Sequence, residues 1–331
     1  MQDFKSFSER IKDLKFKDFE SLALELFRFQ ASENQIYKKY VDARQVDVSQ
    51  VKQLEDIPFL PIRFFKDFEV ISGDSNQYNG YYSSSGTTGM ITSKHYIWSE
   101  KWYLNHAQRI FESSYGPLDQ FHVLALLPAY LERKGSSLVS MAEHFINQSH
   151  SSHSGFYLYN QEELIAKMKE LAGDSKKVLL LGVTFALLDL AESGREFPKM
   201  DNLIVMETGG MKGRRKEMIR EEVHAILKPF FGLDFIHSEY GMTEMMSQAY
   251  SKGMGKYTLP ASIRVLLRDT NDPLAMSSRR QGGINIIDLG NFHSCAFLET
   301  QDLGRIDEEG CLEVLGRFDN SEIRGCNLLV Q

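Results

Sequence analysis

The middle of the sequence alternates short, mostly apolar segments with amphipathic ones, and this rhythm is the strongest constraint on the fold. The apolar segments lie at residues 121–127, 155–159, 177–183, 203–206 and 234–237. Strands that are apolar along their whole length are usually buried on both faces, as in a parallel sheet covered by helices. The pattern predicts an α/β fold in which ligands bind beyond the carboxyl ends of the strands.

The amphipathic segments predict the helices. Apolar residues repeat at helical spacing between Phe19 and Phe27, and Ser99 is suited to cap a helix that begins at Glu100. Further helices are predicted at residues 33–43, 137–148, 162–171 and 214–228. After residue 260 the helical pattern stops, and an antiparallel sheet or barrel is predicted from strands at 263–267, 283–289, 296–300 and 312–315.

These patterns divide the chain into four predicted regions. Residues 1–80 are a helical N-terminal segment packed on the main domain, and residues 81–260 are an α/β core that carries the ligand site. Residues 261–318 are an antiparallel β-subdomain, and residues 319–331 are a hinge-like tail that carries Cys326.

The composition argues against several functional classes. The net charge is -7 and no run of lysine and arginine offers a track for a phosphate backbone, which argues against nucleic-acid binding. No apolar run approaches the ~18 residues of a membrane helix, and the first residues do not resemble a secretory signal. The three cysteines lack CxxC spacing, which argues against a disulfide framework or a zinc site and favours the cytoplasm.

A segment rich in glycine and hydroxyl groups is the first candidate for chemistry. Residues 83–89 read Ser-Ser-Ser-Gly-Thr-Thr-Gly. Glycine lets the backbone approach a ligand closely, and successive N–H groups with neighbouring hydroxyls can hold phosphate oxygens. Taken alone, a segment of this composition is more often a flexible linker. The sequence contains no GxxxxGK[ST] loop, no dinucleotide fingerprint and no GxSxG elbow.

Three later segments extend this pattern. They are residues 239–244 (Glu-Tyr-Gly-Met-Thr-Glu), 299–304 (Glu-Thr-Gln-Asp-Leu-Gly) and 316–319 (Gly-Arg-Phe-Asp). Together with the loop at 83–89, they resemble in order and spacing the core motifs of the adenylate-forming superfamily, which includes acyl-CoA synthetases and luciferases. The resemblance implies that superfamily's large N-terminal domain, with parallel strands, flanking helices and a smaller antiparallel β-subdomain.

The resemblance also implies ATP and Mg²⁺ as cofactors. Tyr240 would stack on adenine, Thr243 would contact the α-phosphate, and Glu244 would carry Mg²⁺, a cation that prefers oxygen ligands. Asp302 would accept hydrogen bonds from the ribose, assisted by Arg317. The β- and γ-phosphates would be held by Ser84, Ser85, Gly86, Thr87, Thr88 and Gly89. The wall of the adenine and acyl pocket would include Gly209 and Gly210, and the nucleotide-binding block also includes Glu239 and Gly241.

The sequence departs from the superfamily pattern at two places, and these departures indicate a particular family within the superfamily. Lys94 is displaced from the usual lysine position behind the loop, which leaves its role open. A lid domain normally follows the position of Asp319, and we expect it to be absent because the sequence ends at Gln331. The segment from Gly316 to Leu329, together with residues 127–141 and 207–213, resembles the LuxE-type acyl-protein synthetases.

The LuxE-type resemblance implies a reaction. A fatty acid would be activated with ATP to acyl-AMP, and the acyl group would move to Cys326 before an acyl reductase or another acyl-accepting protein takes it. Thr243, Glu244 and Cys326 are therefore the expected catalytic residues, and Arg324 could favour the Cys326 thiolate. One alternative is an acyl-CoA ligase or acyltransferase of the phenylacetate type. Another is a scaffold that binds nucleotide or acyl group without turnover. A homo-oligomer is compatible with the sequence.

Overall fold

A computed structural model describes residues 4–84, 92–128, 135–158, 160–211, 215–216 and 218–318. The chain divides into two compact units. The first unit comprises Met1–Phe64, Val70–Gly73 and Ala261–Gln331, and the second comprises Phe65–Glu69 and Asp74–Pro260. Within the described residues, no helix has both the length and the apolar character that crossing a membrane requires.

The α-helices of the described chain are, in order, α1 (Phe4–Lys12), α2 (Phe19–Glu33), α3 (Gln35–Ala43), α4 (Phe64–Asp67), α5 (Glu100–Tyr115), α6 (Ser137–Gln148), α7 (Gln161–Leu171), α8 (Thr184–Ala191) and α9 (Arg220–Phe231).

The strands are, in order, β1 (Leu60–Pro61), β2 (Tyr81–Ser83), β3 (Lys94–Tyr96), β4 (Phe121–Leu126), β5 (Gly155–Tyr157), β6 (Lys177–Val183), β7 (Leu203–Thr208), β8 (His237–Tyr240), β9 (Ala249–Ser251), β10 (Lys256–Thr258), β11 (Ile263–Arg268), β12 (Gln281–Asp288), β13 (Phe297–Ile306) and β14 (Leu312–Arg317).

The predicted parallel sheet is confirmed in the second unit. Its strands lie in the order β5-β4-β6-β7-β8, and each neighbouring pair is parallel. Strands β9 and β10 extend this sheet with antiparallel pairing. Every residue of β4 is buried, as its uniformly apolar sequence predicts. The sheet is therefore mixed, with its parallel part in the centre.

The helix ends in this unit follow local capping. The predicted Ser99 cap is confirmed, because its hydroxyl accepts a hydrogen bond from the Trp102 N–H at 3.2 Å. The helix predicted from residue 214 begins at Arg220 instead, and that start was wrong. The Ile219 N–H donates to the Glu222 carboxylate at 3.2 Å, which satisfies a donor at the helix start. Arg215 instead pairs with Asp189 and Glu192.

The glycine- and hydroxyl-rich segment connects the two strands of a hairpin. Strands β2 and β3 pair antiparallel, with Tyr82 opposite His95 and Ser83 opposite Lys94. At the start of the loop, the Ser84 N–H donates to the Ser93 carbonyl at 3.1 Å. The sequence analysis did not predict this hairpin.

The first unit contains the predicted antiparallel sheet, in the order β11-β12-β13-β14. Strand β1 pairs with β13 in parallel. The fully buried Gln30 of α2 links the N-terminal helices to this sheet, because its side-chain amide donates to the Asn291 carbonyl at 2.9 Å and accepts from the Ala296 N–H at 2.9 Å. The N-terminal helices thus share a unit with residues beyond 260. The domain boundaries of the sequence analysis stay a prediction.

Candidate active site

Two of the motif segments lie side by side at the carboxyl ends of parallel strands. Gly209 and Gly210 follow β7, and Tyr240 ends β8. These strands are neighbours, with Glu207 opposite Ser238 and Thr208 opposite Glu239. Ligands of open α/β sheets bind at this edge, so the topology brings these candidate residues to the expected position.

Glu207 is a buried carboxylate with several partners. Thr184, the first residue of α8, donates its hydroxyl to Glu207 Oε2 at 2.9 Å. Glu207 Oε1 lies 3.9 Å from Arg220 Nε and 3.8 Å from His224 Nε2 on α9. Burial opposes ionisation, but the nearby His224 and Ser238 side chains, the charge of Arg220 and the hydrogen bond from Thr184 together lower the pKa of Glu207. Glu207 is therefore held as an anion.

Glu239 is buried to a similar degree but has a different environment. Its Oε2 accepts a short hydrogen bond from the Thr208 hydroxyl. Burial, with a contribution from the charge of Glu207, raises the pKa of Glu239 to about 7. Its Oε1 lies directly against the backbone of Gly241, where any Cβ would collide with it. Glycine at position 241 thus makes room for this carboxyl group.

Tyr240, the predicted adenine-stacking residue, belongs to an aromatic group. Its ring centroid lies 5.8 Å from that of Tyr257 on β10. The Arg220 guanidinium lies 5.3 Å from the Tyr257 ring centroid and donates through Nη2 to the Tyr257 hydroxyl at 3.2 Å. Since Arg220 also lies near Glu207, a chain of contacts runs from Glu207 to Tyr240.

Thr243 and Glu244 are tied to the hairpin of the candidate phosphate loop. His95 Nδ1 on β3 lies 2.8 Å from the Thr243 carbonyl oxygen, so this nitrogen carries the hydrogen. Burial lowers the pKa of His95 to about 4, which keeps the ring neutral. Glu244 is buried. Strand β3 of the hairpin and Thr243 are thereby held together.

Some of the remaining candidate residues lie in the first unit, and the others lie outside the described residues. In the first unit, Asp302 and Arg317 are paired on β13 and β14, and Arg317 Nε lies 3.4 Å from Asp302 Oδ1. The Asp302 side chain is 9% exposed and that of Arg317 is 74% exposed. Residues Ser85–Gly89 and Cys326 lie outside the described residues.

The other two cysteines, Cys295 and Cys311, lie within the described residues. Cys295 is fully buried, and burial raises the pKa of its thiol to about 12. Cys311 is partly buried. The environment of Cys295 therefore does not favour a reactive thiolate.

Sequence reasoning missed several residues of this site, among them His95, Thr184, Arg220 and Tyr257. Thr184 directly follows the apolar strand β6, so the rule that found Gly209 could have found it. Arg220 lies on α9 and Tyr257 on β10, and the local sequence does not show which other elements α9 and β10 contact.

Comparison with known proteins identifies the family of this chain. The family model described as "Acyl-protein synthetase, LuxE" matches residues 6–331. The chain belongs to the LuxE acyl-protein synthetase family. The predicted resemblance is thus confirmed.

Two relatives of the LuxE family chain are both named long-chain-fatty-acid–luciferin-component ligase. The protein from Vibrio harveyi is 21% identical over 91% of this chain and 84% of its own length. The protein from Photorhabdus luminescens is 32% identical over 21% of this chain, a match that spans 59% of that relative. Both names are those of ligases, in agreement with the predicted enzyme class.

Solved structures confirm the predicted fold. ATP-bound MatB from Rhodopseudomonas palustris has a TM-score of 0.54 and 17% identity over 75% of this chain, which spans only about half (49%) of MatB. An open conformation of 2-hydroxyisobutyryl-CoA ligase, solved with 2-HIB-AMP and CoA, has a TM-score of 0.66 and 14% identity over 92% of this chain and 70% of that one. The LuxE family chain therefore has the fold of these ligases.

Proposed function

We propose that this protein activates a carboxylic acid with ATP to form acyl-AMP and then transfers the acyl group to Cys326. The observation that carries the proposal is the junction of the Gly209 and Tyr240 segments at the carboxyl edge of β7 and β8. Membership in the LuxE family supports the same reaction.

In the first half-reaction, a carboxylate oxygen of the acid attacks the α-phosphorus of ATP. A P–O bond forms, the bond to the bridging oxygen breaks, and pyrophosphate leaves. No general base is needed because the attacking group is already an anion. The contribution of the protein is to position both substrates and to stabilise the charge that develops.

Each motif residue has a role in this positioning. Tyr240 would stack on the adenine, supported by the Tyr257 ring at 5.8 Å. Thr243 would contact the α-phosphate, and Ser84–Gly89 would hold the β- and γ-phosphates. Asp302 and Arg317 would bind the ribose hydroxyls. The buried Glu207 network fixes the end of β7 beside this site.

Glu244 is the proposed magnesium ligand. Its carboxylate supplies the hard oxygen atoms that Mg²⁺ prefers, and the group is 7% exposed, which fits a ligand within a site. Bound Mg²⁺ would neutralise negative charge on the phosphate oxygens. The Thr243 carbonyl, held by His95, fixes the backbone immediately before Glu244.

In the second half-reaction, the Cys326 sulfur attacks the acyl carbonyl carbon. A C–S bond forms, the C–O bond to AMP breaks, and AMP leaves with the electron pair. Thiolates are strong nucleophiles even when only a small fraction of the thiol is ionised. We propose that the thioester then passes to an acyl-accepting protein such as a reductase. A reducing compartment such as the cytoplasm would keep this thiol free.

Labelling tests the whole sequence. The protein is incubated with ATP, Mg²⁺ and labelled fatty acids of increasing chain length, and wild type is compared with Cys326→Ser. We expect a hydroxylamine-labile label on wild type that is lost in the variant, while acid-dependent exchange of pyrophosphate into ATP persists. Cys295→Ser and Cys311→Ser are the matched controls, and both should keep the label.

Each part of the proposal has its own contrary result. A label that survives in Cys326→Ser would contradict the role of this thiol. If the acyl group is transferred to added CoA and the protein is not labelled, the protein is an acyl-CoA ligase. The absence of exchange with every acid would contradict acid activation itself.

A further inference from the structure

A row of polar side chains crosses three strands beside the candidate active site. In the sheet, Thr208 of β7 lies opposite Glu239 of β8, and Glu239 lies opposite Tyr250 of β9. Side chains of directly paired residues share one face of a sheet. Gln248 lies next to this row, because its Cγ would be 3.6 Å from a Cβ at Gly241, the position that Glu239 Oε1 borders. We call these four residues the polar row.

The polar row is on the α5 side of the sheet. The Tyr250 ring lies 5.8 Å from Phe111 and 5.6 Å from Tyr115, both on α5. Tyr240 follows Glu239 and therefore points to the opposite face, where its ring meets Tyr257. If the nucleotide base lies against Tyr240, the polar row faces the other side of the same strand end. The second substrate, the acid, would then approach the strand end from the side of the polar row.

Two hydrogen-bonding atoms of the polar row have no protein partner within the described part of the chain. The Tyr250 hydroxyl and Gln248 Oε1 are buried, and neither has a hydrogen-bond partner among the residues that the structure describes. In the same described part of the chain, the hydrogen bond formed by the Glu239 carboxyl is the one from Thr208 to Oε2. Tyr250 is 3% exposed and Gln248 is 4% exposed.

Buried polar atoms of this kind point to a ligand with matching groups. Leaving one without a partner costs about 1–3 kcal/mol. Gln248 Oε1 can only accept a hydrogen bond, whereas the Tyr250 hydroxyl can donate or accept. A hydroxyl or a secondary amide on the ligand would satisfy both atoms, because it can donate to Gln248 Oε1 and accept from the Tyr250 hydroxyl. A plain alkyl chain would leave both atoms unsatisfied.

We infer that the polar row selects an acid whose acyl chain carries a hydroxyl or amide group. The inference rests on the proposed function, because it assigns the class of acid that the same site activates. Sites built to bond a substrate hydroxyl discriminate strongly against the analogue that lacks it, since the buried partners are then left unpaired. The names of the two relatives specify a long-chain fatty acid and say nothing of substituents on the chain.

The test compares matched acids of equal chain length. At each length, the plain alkanoic acid is compared with its 3-hydroxy derivative and with an N-acylglycine, by acid-dependent exchange of pyrophosphate into ATP. We expect kcat/KM to be at least about 10-fold higher for one substituted acid than for the plain acid. The hydroxy acid and the N-acylglycine distinguish the two forms of the substituent.

Variants connect this preference to the polar row. Tyr250→Phe and Gln248→Leu should each bring the ratio of substituted to plain acid down toward 1, mainly by lowering kcat/KM for the substituted acid. Tyr157→Phe is the matched control, because Tyr157 is a buried tyrosine on β5, at the far end of the sheet order. That variant should keep the wild-type ratio.

Two results would overturn the inference. One is wild-type protein that uses plain acids as well as substituted ones. The other is a set of variants that lower both classes of acid equally. If no acid supports exchange, the proposed function is contradicted instead. Calorimetric titration without ATP then tests the inference, because it measures the affinity of the protein for both acids of each pair. Equal affinity for both members of each pair would then contradict it.

Discussion

Two buried glutamates at the ends of neighbouring strands have opposite environments. Glu207 shares a row with Ser238, Ser251 and Tyr257 on the face covered by α9, where Arg220 and His224 lie near its carboxylate. Glu239 lies in a row with Thr208 and Tyr250 on the α5 face, where its Oε2 accepts a hydrogen bond from the Thr208 hydroxyl. The pKa of Glu207 is lowered, while burial raises the pKa of Glu239 to about 7.

The difference indicates that the two faces of the sheet have different roles. A buried charge is retained when basic and hydroxyl groups compensate it, as around Glu207, and such networks fix local structure. A buried group with few protein partners is expected where a ligand supplies the rest. We therefore assign Glu207 to support of the strand end and Glu239 to substrate recognition, and each assignment predicts a different effect of mutation.

The largest effect is expected for Glu207→Ala. The substitution removes the anion that compensates Arg220, which should lower the free energy of unfolding by about 3 kcal/mol. Urea denaturation measures this change. Glu162→Ala is the matched control, because the Glu162 side chain is 81% exposed and pairs with Arg195 at the surface. The control should change the unfolding free energy by less than about 1 kcal/mol. Equal effects would contradict the support role.

The second prediction concerns the pH dependence of stability through Glu239. Its pKa is raised from 4.5 to about 7 in the folded protein, so between these values the native state binds more protons than the unfolded state. The stabilisation from neutral Glu239 is therefore complete below pH 4.5 and is lost as the pH rises through 7. Its full size is at most about 3 kcal/mol.

Glu239→Gln provides the reference for this titration, because the amide stays neutral. Unfolding free energies of both proteins are measured in urea across this pH range. We expect wild type to lose stability relative to the variant as the pH increases. A difference between the two proteins that is constant with pH would show that Glu239 titrates normally.

The third prediction uses Gly241 to displace Glu239 without changing its chemistry. In Gly241→Ala the new Cβ would collide with Glu239 Oε1, so the carboxyl group must move. We expect kcat/KM for the acid to fall by about 30-fold, equivalent to about 2 kcal/mol of overpacking. Steady-state exchange assays measure this value.

Gly155→Ala is the control for the Gly241 substitution. A Cβ at Gly155 would have no atom within 4 Å, so kinetics and stability should stay near wild type. If Gly241→Ala behaves like Gly155→Ala, the position of the Glu239 carboxyl is unimportant for acid activation.

The smallest effect is expected for Tyr257→Phe on the α9 face. The substitution removes the hydroxyl that accepts from Arg220 at 3.2 Å but keeps the ring beside Tyr240. We expect KM for ATP to rise about 5-fold, as for the loss of one hydrogen bond, with KM for the acid unchanged. A rise in the acid KM instead would reverse the assignment of the two faces.

The parallel strands of the second unit could be predicted, because strands that are buried on both faces are apolar along their whole length. Strand β6 was predicted with its observed bounds, Lys177–Val183, and it is buried from Val178 onward. The position of Gly209 and Tyr240 beyond neighbouring strands followed from the same pattern.

The environment of Glu239 could not be predicted in this way. Tyr250 and Tyr257 lie on the three-residue strands β9 and β10, which carry no clear alternation and were not predicted. The hairpin that brings His95 to Thr243 is equally short. A pKa shift depends on which residues from distant segments cover a group, and single-sequence patterns do not contain that information.

Acid-dependent exchange of pyrophosphate into ATP tests the central claim most directly, because it reports the first half-reaction without requiring Cys326. The account predicts that wild-type protein with Mg²⁺ exchanges pyrophosphate only when a suitable carboxylic acid is added, and that Gly241→Ala weakens this response. Exchange that is absent with every acid, or that proceeds equally well without acid, would contradict it.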